Sequence, residues 1–175
     1  MRRVITVEGI RVPVGSHEGK VIVIGSDHRG FSYKSKIVEV LKDKGYQLID
    51  VGTSSPERCD YPIISDNIGK EVSSDPYGRV GIGICGSGIG ILIPASKHKG
   101  IYVARCLSPE EAETSRKHNN TNFLGIGADC VNLETALATI DTWLTTPFCS
   151  DIEREKPYFM RYIQTVKLET AVRQL

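Results

Sequence analysis

A thiol and a hydroxyl stand among three glycines in Cys85-Gly86-Ser87-Gly88-Ile89-Gly90. Alternate glycines let the backbone turn tightly and point its N–H groups inward, and a helix that follows adds the positive end of its dipole. Together these make a nest for an oxyanion or a phosphate. The same field favours a thiolate at Cys85, although a small core residue ahead of a tight turn would also fit there. His118 closes a helical pattern, where the dipole favours the imidazolium. A thiolate and an imidazolium would be a base and an acid poised near neutrality; the plainer reading is a histidine that caps its own helix. Asp27 and His28, in Ser26-Asp27-His28-Arg29-Gly30, could orient a hydroxyl or cap the helix they precede. His28, His98 and His118 follow no metal-binding spacing, so no metal is expected.

Three kinds of glycine-rich phosphate site must be separated. Gly81-x-Gly83-x-x-Gly86 matches the dinucleotide pattern in form. Its first two glycines fall inside a strand, however, and the next strand, Tyr102-Val103-Ala104-Arg105, ends on no acid. That disfavours NAD and leaves an NADP oxidoreductase using Arg105 as a minor alternative. No Gly-Lys-Ser/Thr follows, so a P-loop fails. Ile91 stands where a cysteine phosphatase needs an arginine.

The elements that position these residues alternate between two periods. Val21-Ile22-Val23-Ile24 is a continuous apolar run, the mark of a strand covered on both faces. Further strands are predicted at 48–51, 80–84, 101–104 and 122–126. Between them lie helices at 31–44 (stopped by Gly45), 61–73, from the glycine-rich turn to about Lys97, 108–118 and 133–144. Ser108, Pro109 and Glu111 form a capping box, and Asn119 and Asn120 end that helix. A last helix starts at Pro157 with Phe159, Tyr162, Ile163 and Val166 on one stripe. The pattern predicts an α/β fold of the Rossmann-like class: a doubly wound five-stranded parallel sheet, helices on both faces and a C-terminal helix. In such sheets ligands bind beyond the C-terminal strand ends, which here carry Asp27-His28, Cys85–Gly90, Arg105-Cys106 and Gly127-Ala128-Asp129. Residues 1–19 read as an N-terminal extension, a small β-ribbon or an arm toward a partner. The stripe of the last helix needs a covering surface, which predicts a homodimer, with packing on the chain's own sheet as the alternative.

The chain has 175 residues, enough for one domain with its own core. Twenty-two Lys+Arg against 21 Asp+Glu leave a net charge of +1, with no basic block to mark a nucleic-acid or membrane partner. No apolar run reaches the ~18 residues of a membrane span, and no signal peptide is read at the N-terminus. A cytoplasmic protein is expected. The five cysteines, 59, 85, 106, 130 and 149, form no Cys-x-x-Cys pair and are expected as free thiols.

Taken together, Gly25-Ser26-Asp27-His28-Arg29-Gly30-Phe31, Asp60-Tyr61-Pro62, Ile84–Ile91 and Ser115-Arg116-Lys117-His118-Asn119-Asn120-Thr121-Asn122 resemble the ribose-5-phosphate isomerase B family, which groups with the galactose-6-phosphate isomerase subunits. The resemblance runs in order from about residue 21 to 148. It implies one isomerase domain over 20–175, a homodimer or tetramer with shared active sites, a sugar-phosphate substrate and no cofactor. It casts Cys85 as the base that moves a proton between C1 and C2. Ser87 and the backbone of Gly86, Gly88 and Gly90 would hold a cis-enediolate, and His118 of a partner chain would assist ring opening. Asp27, His28, Tyr61 and Asn119 would bind the sugar. Arg161 and Arg154 would stand in for a C-terminal pair of phosphate-binding arginines, here seven residues apart among Glu153, Glu155 and Pro157.

Departures from the family pattern gather at the phosphate. Asp129 occupies a position usually held by a phosphate-binding arginine, where an acid would repel the substrate; Pro94 and Ser96 replace a small residue and an asparagine. The reading is therefore an aldose–ketose isomerase for ribose 5-phosphate. Another aldose phosphate, or a non-catalytic sugar-phosphate-binding protein of the same fold, are the alternatives.

Overall fold

The computed structural model describes residues 3–149 and 151–172; residues 1–2 of the N-terminal segment, residue 150 and residues 173–175 lie outside it. The chain opens with a β-hairpin of β1 (Arg3–Val7) and β2 (Ile10–Val14). Its two-residue loop, Glu8-Gly9, has φ of 49° and 78°. Positive φ at both positions gives a turn whose twist matches that of paired strands.

Five parallel strands follow: β3 (Val21–Ser26), β4 (Leu48–Asp50), β5 (Arg79–Cys85), β6 (Val103–Arg105) and β7 (Phe123–Gly127), in the order β4-β3-β5-β7-β6. The predicted Rossmann-like α/β sheet is thus present, with β5, the strand that ends at Cys85, in its centre. Helices α1 (Phe31–Asp43) and α5 (Leu133–Thr145) cover one face, burying Ile37, Leu41, Ile140 and Trp143 against Ile22, Ile24, Ile82, Ile84 and Leu124. Helices α2 (Tyr61–Ser74) and α3 (Leu92–Ala95) cover the other, through Ile64, Ile68, Val72 and Leu92. Gly81 and Gly83 belong to that second face. A Cβ at either would lie within 3 Å of the Phe123 ring, so these glycines make room for an aromatic neighbour and not for a dinucleotide.

Two corrections concern helices. The helix after the glycine-rich turn is a single turn, Leu92–Ala95, and does not reach Lys97; bonds from Lys97 to Pro94 and from His98 to Ala95 tighten the chain beyond it. The stripe of α6 (Lys156–Val172) finds its cover within the chain. Phe159, Tyr162 and Ile163 pack with Val12 and Val14 of the hairpin and with Phe148 as a third core. The stripe therefore supplies no argument for a dimer. In α4 (Pro109–Asn119) the capping box forms: the Ser108 hydroxyl accepts from Glu111 N–H, and the Glu111 carboxylate accepts from Leu107 N–H, one residue before the cap. Asn120 ends the helix in the left-handed region at φ 52°.

Residues 15–20 strap the hairpin to the sheet. Gly15 exchanges both backbone bonds with Phe148, and His17 N–H donates to Leu144. Beneath the strap the buried Arg116 guanidinium donates to the Gly15 and Thr121 carbonyls and to Asn120 Oδ1, while Asn120 Nδ2 donates to the Pro13 carbonyl. His17, 1% exposed, lies 4.6 Å from the Trp143 ring centroid, and its Nε2 is 2.9 Å from the Thr121 carbonyl. Burial, with the Arg116 and Lys20 charges adding to it, holds this imidazole well below the ordinary histidine range.

That depression has a sign. Below about pH 6.5 the unfolded chain binds a proton at residue 17 that the folded chain refuses, so stability falls as pH falls. We expect wild type to lose up to about 1.4 kcal/mol per pH unit, below pH 6.5, relative to His17→Gln. Urea unfolding of both proteins at pH 7.5, 6.5 and 5.5 checks this; parallel curves would refute it.

Candidate active site

The C-terminal ends of β3, β5 and β7 converge on the glycine-rich loop. Cys85, 4% exposed, accepts a hydrogen bond at Sγ from the Gly88 N–H (3.2 Å). The sulfur thus lies inside the turn that its own strand enters. Gly88 adopts φ +73°, and a Cβ there would lie 2.7 Å from the Gly127 nitrogen. β7 holds the loop from one side: Ala128 N–H donates to the Cys85 carbonyl (2.9 Å) and Asp129 N–H to that of Gly86 (3.0 Å). Arg105, at the end of β6, holds it from another, donating from Nε to the Ser87 carbonyl (2.8 Å) and from Nη2 to Cys130 Sγ (3.4 Å). This engagement leaves Arg105 a loop clamp and removes the basis for an NADP reading. The expected helix dipole shrinks with α3, whose single turn starts only at Leu92, and within the loop the Gly88 and Ile89 N–H groups turn onto Cys85 Sγ and Ser87 Oγ. Ser87 is exposed, and its Oγ accepts from Ile89 N–H (3.2 Å), which leaves the hydroxyl proton available to a ligand.

Asp27 is buried, and its Oδ1 accepts from both Arg29 N–H (3.0 Å) and Gly30 N–H (3.1 Å). One carboxylate oxygen is therefore committed to starting α1. His28 Nδ1 lies 3.1 Å from the Cys59 carbonyl. The Cys59 N–H also donates to that nitrogen (3.4 Å), so the Cys59 backbone holds the ring. The Tyr61 ring, at the first residue of α2, packs over Gly90, whose missing Cβ would stand 3.0 Å from it. These contacts bring Cys85, Ser87, Gly86, Gly88, Gly90, Asp27, His28 and Tyr61 to one end of the sheet.

Asp129 does not face the site alone. Arg29 reaches it with Nε (2.9 Å) and Nη2 (2.6 Å), and the pair lies over Gly86, where an added Cβ would come within 2.7 Å of both side chains. An unpaired acid repelling phosphate, expected from the sequence, is replaced by an ion pair that carries a guanidinium to the same place. Arg29 is the functional candidate that the sequence reading missed, and only a motif neighbour of Asp27 pointed to it.

The remaining candidates form a second group. His118, in the last turn of α4, stacks on Tyr158 of α6 with centroids 4.1 Å apart and planes 10° from parallel. The Arg161 guanidinium lies 5.8 Å from that Tyr158 ring, and Asn119 and Arg161 line one cavity with His118. Cys85 does not border that cavity, and Asn119 also lines a second one with Arg105. Arg154 stands exposed in the turn before α6, its N–H on Asp151, apart from both groups. The three histidines considered as metal ligands likewise have separate partners, His98 with Asp66 at 2.9 Å.

Residues 22–157 match the family model described as Ribose/Galactose Isomerase. The chain belongs to the ribose/galactose isomerase family. It is 43% identical over 125 residues to ribose-5-phosphate isomerase B of Escherichia coli K12, covering 71% of this chain and 83% of that one. Its fold superposes on a Clostridium thermocellum ribose-5-phosphate isomerase B with a TM-score of 0.79 and 38% identity, over 87% of this chain and 99% of the other. A Mycoplasma genitalium ribose-5-phosphate isomerase B, solved with bound ribulose-5-phosphate, gives a TM-score of 0.79 at 28% identity, over 86% and 96%. The family match begins beyond the hairpin and the strap. Among the described residues no helix is long and apolar enough to cross a membrane.

Gly88→Ala tests the loop geometry. Positive φ alone costs a non-glycine residue about 1–3 kcal/mol, and the backbone contact with Gly127 adds to that. The expected result is a lower urea midpoint at unchanged m-value; a midpoint equal to wild type would show that the loop tolerates a side chain.

Proposed function

We propose that this member of the family interconverts D-ribose 5-phosphate and D-ribulose 5-phosphate through a cis-enediolate, with Cys85 as the base. The observation that carries the reading is Cys85 Sγ lying within the glycine loop, on the Gly88 N–H. Base and oxyanion donors then share one turn of backbone. In the open-chain aldose the Cys85 thiolate takes the proton from C2, and the electron pair moves to place negative charge on O1. Preorganised N–H groups of the loop stabilise that charge without rearrangement. Protonation of C1 by the thiol, with transfer of the O2 proton to O1 through the Ser87 hydroxyl, completes the ketose and restores the thiolate. The related Mycoplasma structure with ribulose-5-phosphate bound supports the substrate class.

Asp27, His28 and Tyr61 bind the sugar, and Arg29, its charge shared with Asp129, faces the phosphate in place of the family's arginine. His118, Asn119 and Arg161, which line one cavity that Cys85 does not border, serve a second copy of the chain, and Arg154, exposed before α6, reaches the same partner. The functional unit is then at least a homodimer whose sites are each built from two chains.

Proton NMR in deuterated water tests the chemistry. Wild type should convert ribose 5-phosphate with solvent deuterium incorporated at the transferred position. Cys85→Ala should lose about 10²–10⁴-fold in turnover while keeping substrate affinity, because a base is lost and not a phosphate ligand. Comparable turnover in the two proteins would sink the thiolate mechanism; no turnover in wild type would sink ribose 5-phosphate as the substrate.

Mixing inactive Cys85→Ala with inactive His118→Asn tests the shared site. Heterodimers restore one complete site each, so equal mixing after subunit exchange should recover roughly a quarter of wild-type activity. No recovery, with exchange verified by mass spectrometry, would place Cys85 and His118 in the same chain's site.

A further inference from the structure

A cavity of about 330 Å³ lies between the hairpin, the strap and α6, at the end of the sheet away from Cys85. Its borders include Lys20, just before β3, Tyr102, just before β6, and Asn122, just before β7. All are N-terminal strand ends, and the length of β5 puts roughly 20 Å between them and the catalytic loop. The volume suits a small metabolite. Three cations line it, Arg11, Lys20 and Lys99, against one carboxylate, Glu169. That carboxylate is already engaged, by Gly100 N–H (2.7 Å) and by the Tyr102 hydroxyl (3.1 Å). Lys20 is itself buried, at 8% exposure.

His17 supplies the second, independent observation. Its Nε2 lies on the Thr121 carbonyl (2.9 Å), which can only accept, so Nε2 carries the hydrogen of the neutral ring and Nδ1 carries the lone pair. That Nδ1 is buried and has no hydrogen-bond partner. A buried acceptor without a donor is rare in native structures and marks a place where a hydroxyl or water belongs. Arg11, His17 and Lys20 all precede residue 22, where the family match begins. The N-terminal segment thus completes one wall of a cavity whose other walls lie at the end of the sheet away from Cys85.

We infer that this cavity binds a small hydroxylated anion, a phosphate monoester of a sugar or polyol. His17 Nδ1 accepts from a ligand hydroxyl, Lys20, Lys99 and Arg11 balance the phosphate, and Pro13 and Val166 pack against the carbon chain. The strap and α6 both border the site, so its occupant bridges the N-terminal hairpin and the helix that carries Arg161.

Protein labelled with ¹⁵N-histidine, titrated with glycerol 3-phosphate, tests this. The Nδ1 resonance of His17 should shift saturably toward that of a hydrogen-bonded nitrogen. Lys99→Ala and Arg11→Ala, both at exposed positions, should each weaken the titration roughly tenfold and leave turnover of ribose 5-phosphate unchanged. An unmoved His17 signal at saturating glycerol 3-phosphate would overturn the inference, as would equal affinity in wild type and both variants. Shifts confined to His28 and His118 would place the ligand at the catalytic end and likewise overturn it. Inorganic phosphate giving the same shift and affinity would reduce the site to one for a bare anion and refute the hydroxyl contact.

Discussion

Backbone packs directly on backbone where the glycine-rich loop meets β7, and the candidate site depends on that approach. A Cβ at Gly125 would lie 2.6 Å from the Gly88 carbonyl oxygen, one at Gly127 2.7 Å from that of Ser87, and one at Gly88 2.7 Å from Gly127 nitrogen. Side chains at any of the three would push the loop off the strand. With them absent, the loop settles against β7 through the Ala128 and Asp129 N–H groups, and the Gly88 N–H comes onto the Cys85 sulfur. Rigid placement of donors before the substrate arrives is what makes an oxyanion site effective. Arg105 adds a side-chain clamp to the same loop, at the Ser87 carbonyl.

Much of this was legible in the chain itself. A continuous apolar run marked β3 because both faces of the sheet are covered, and the Ser108–Glu111 box with Asn120 bracketed α4 because caps are local chemistry. The glycine loop announced itself by spacing. Pairings across long separations left no such mark. Arg29 and Asp129 are 100 residues apart, and nothing local tells an acid that repels phosphate from one neutralised by an arginine. The length of α3 also escaped, since Leu92 and the residues after it look helical one by one. The glycines before it and the tight turns after Pro94 stop the ladder. Gly81 and Gly83 match a nucleotide fingerprint only in form, their place inside the strand already told against it, and the Phe123 ring that fills the space beside them had no local mark.

The separation of the two residue groups bears on how the site is organised. Cys85 and its neighbours hang from strand ends, where the sheet fixes them. His118 and Arg161 ride on helices and are held to each other through Tyr158, which stacks on the imidazole and lies near the guanidinium. α4 and α6 thus present a prearranged surface that does not need the Cys85 end of the sheet to keep its shape. The third core beneath α6 makes that surface stiff, because Phe159, Tyr162 and Ile163 are anchored on the hairpin.

The hairpin also sets an order of events during folding. Val12 and Val14 precede every strand of the sheet, yet their partners, Phe148, Phe159, Tyr162 and Ile163, follow its last strand. Closing that core needs contacts that span most of the chain, the kind that form late and slow folding. Throughout synthesis a short apolar ribbon with unpaired edges waits in solvent while the sheet behind it assembles. The hairpin is thus made before the helix that covers it, and only the arrival of α6 completes its burial.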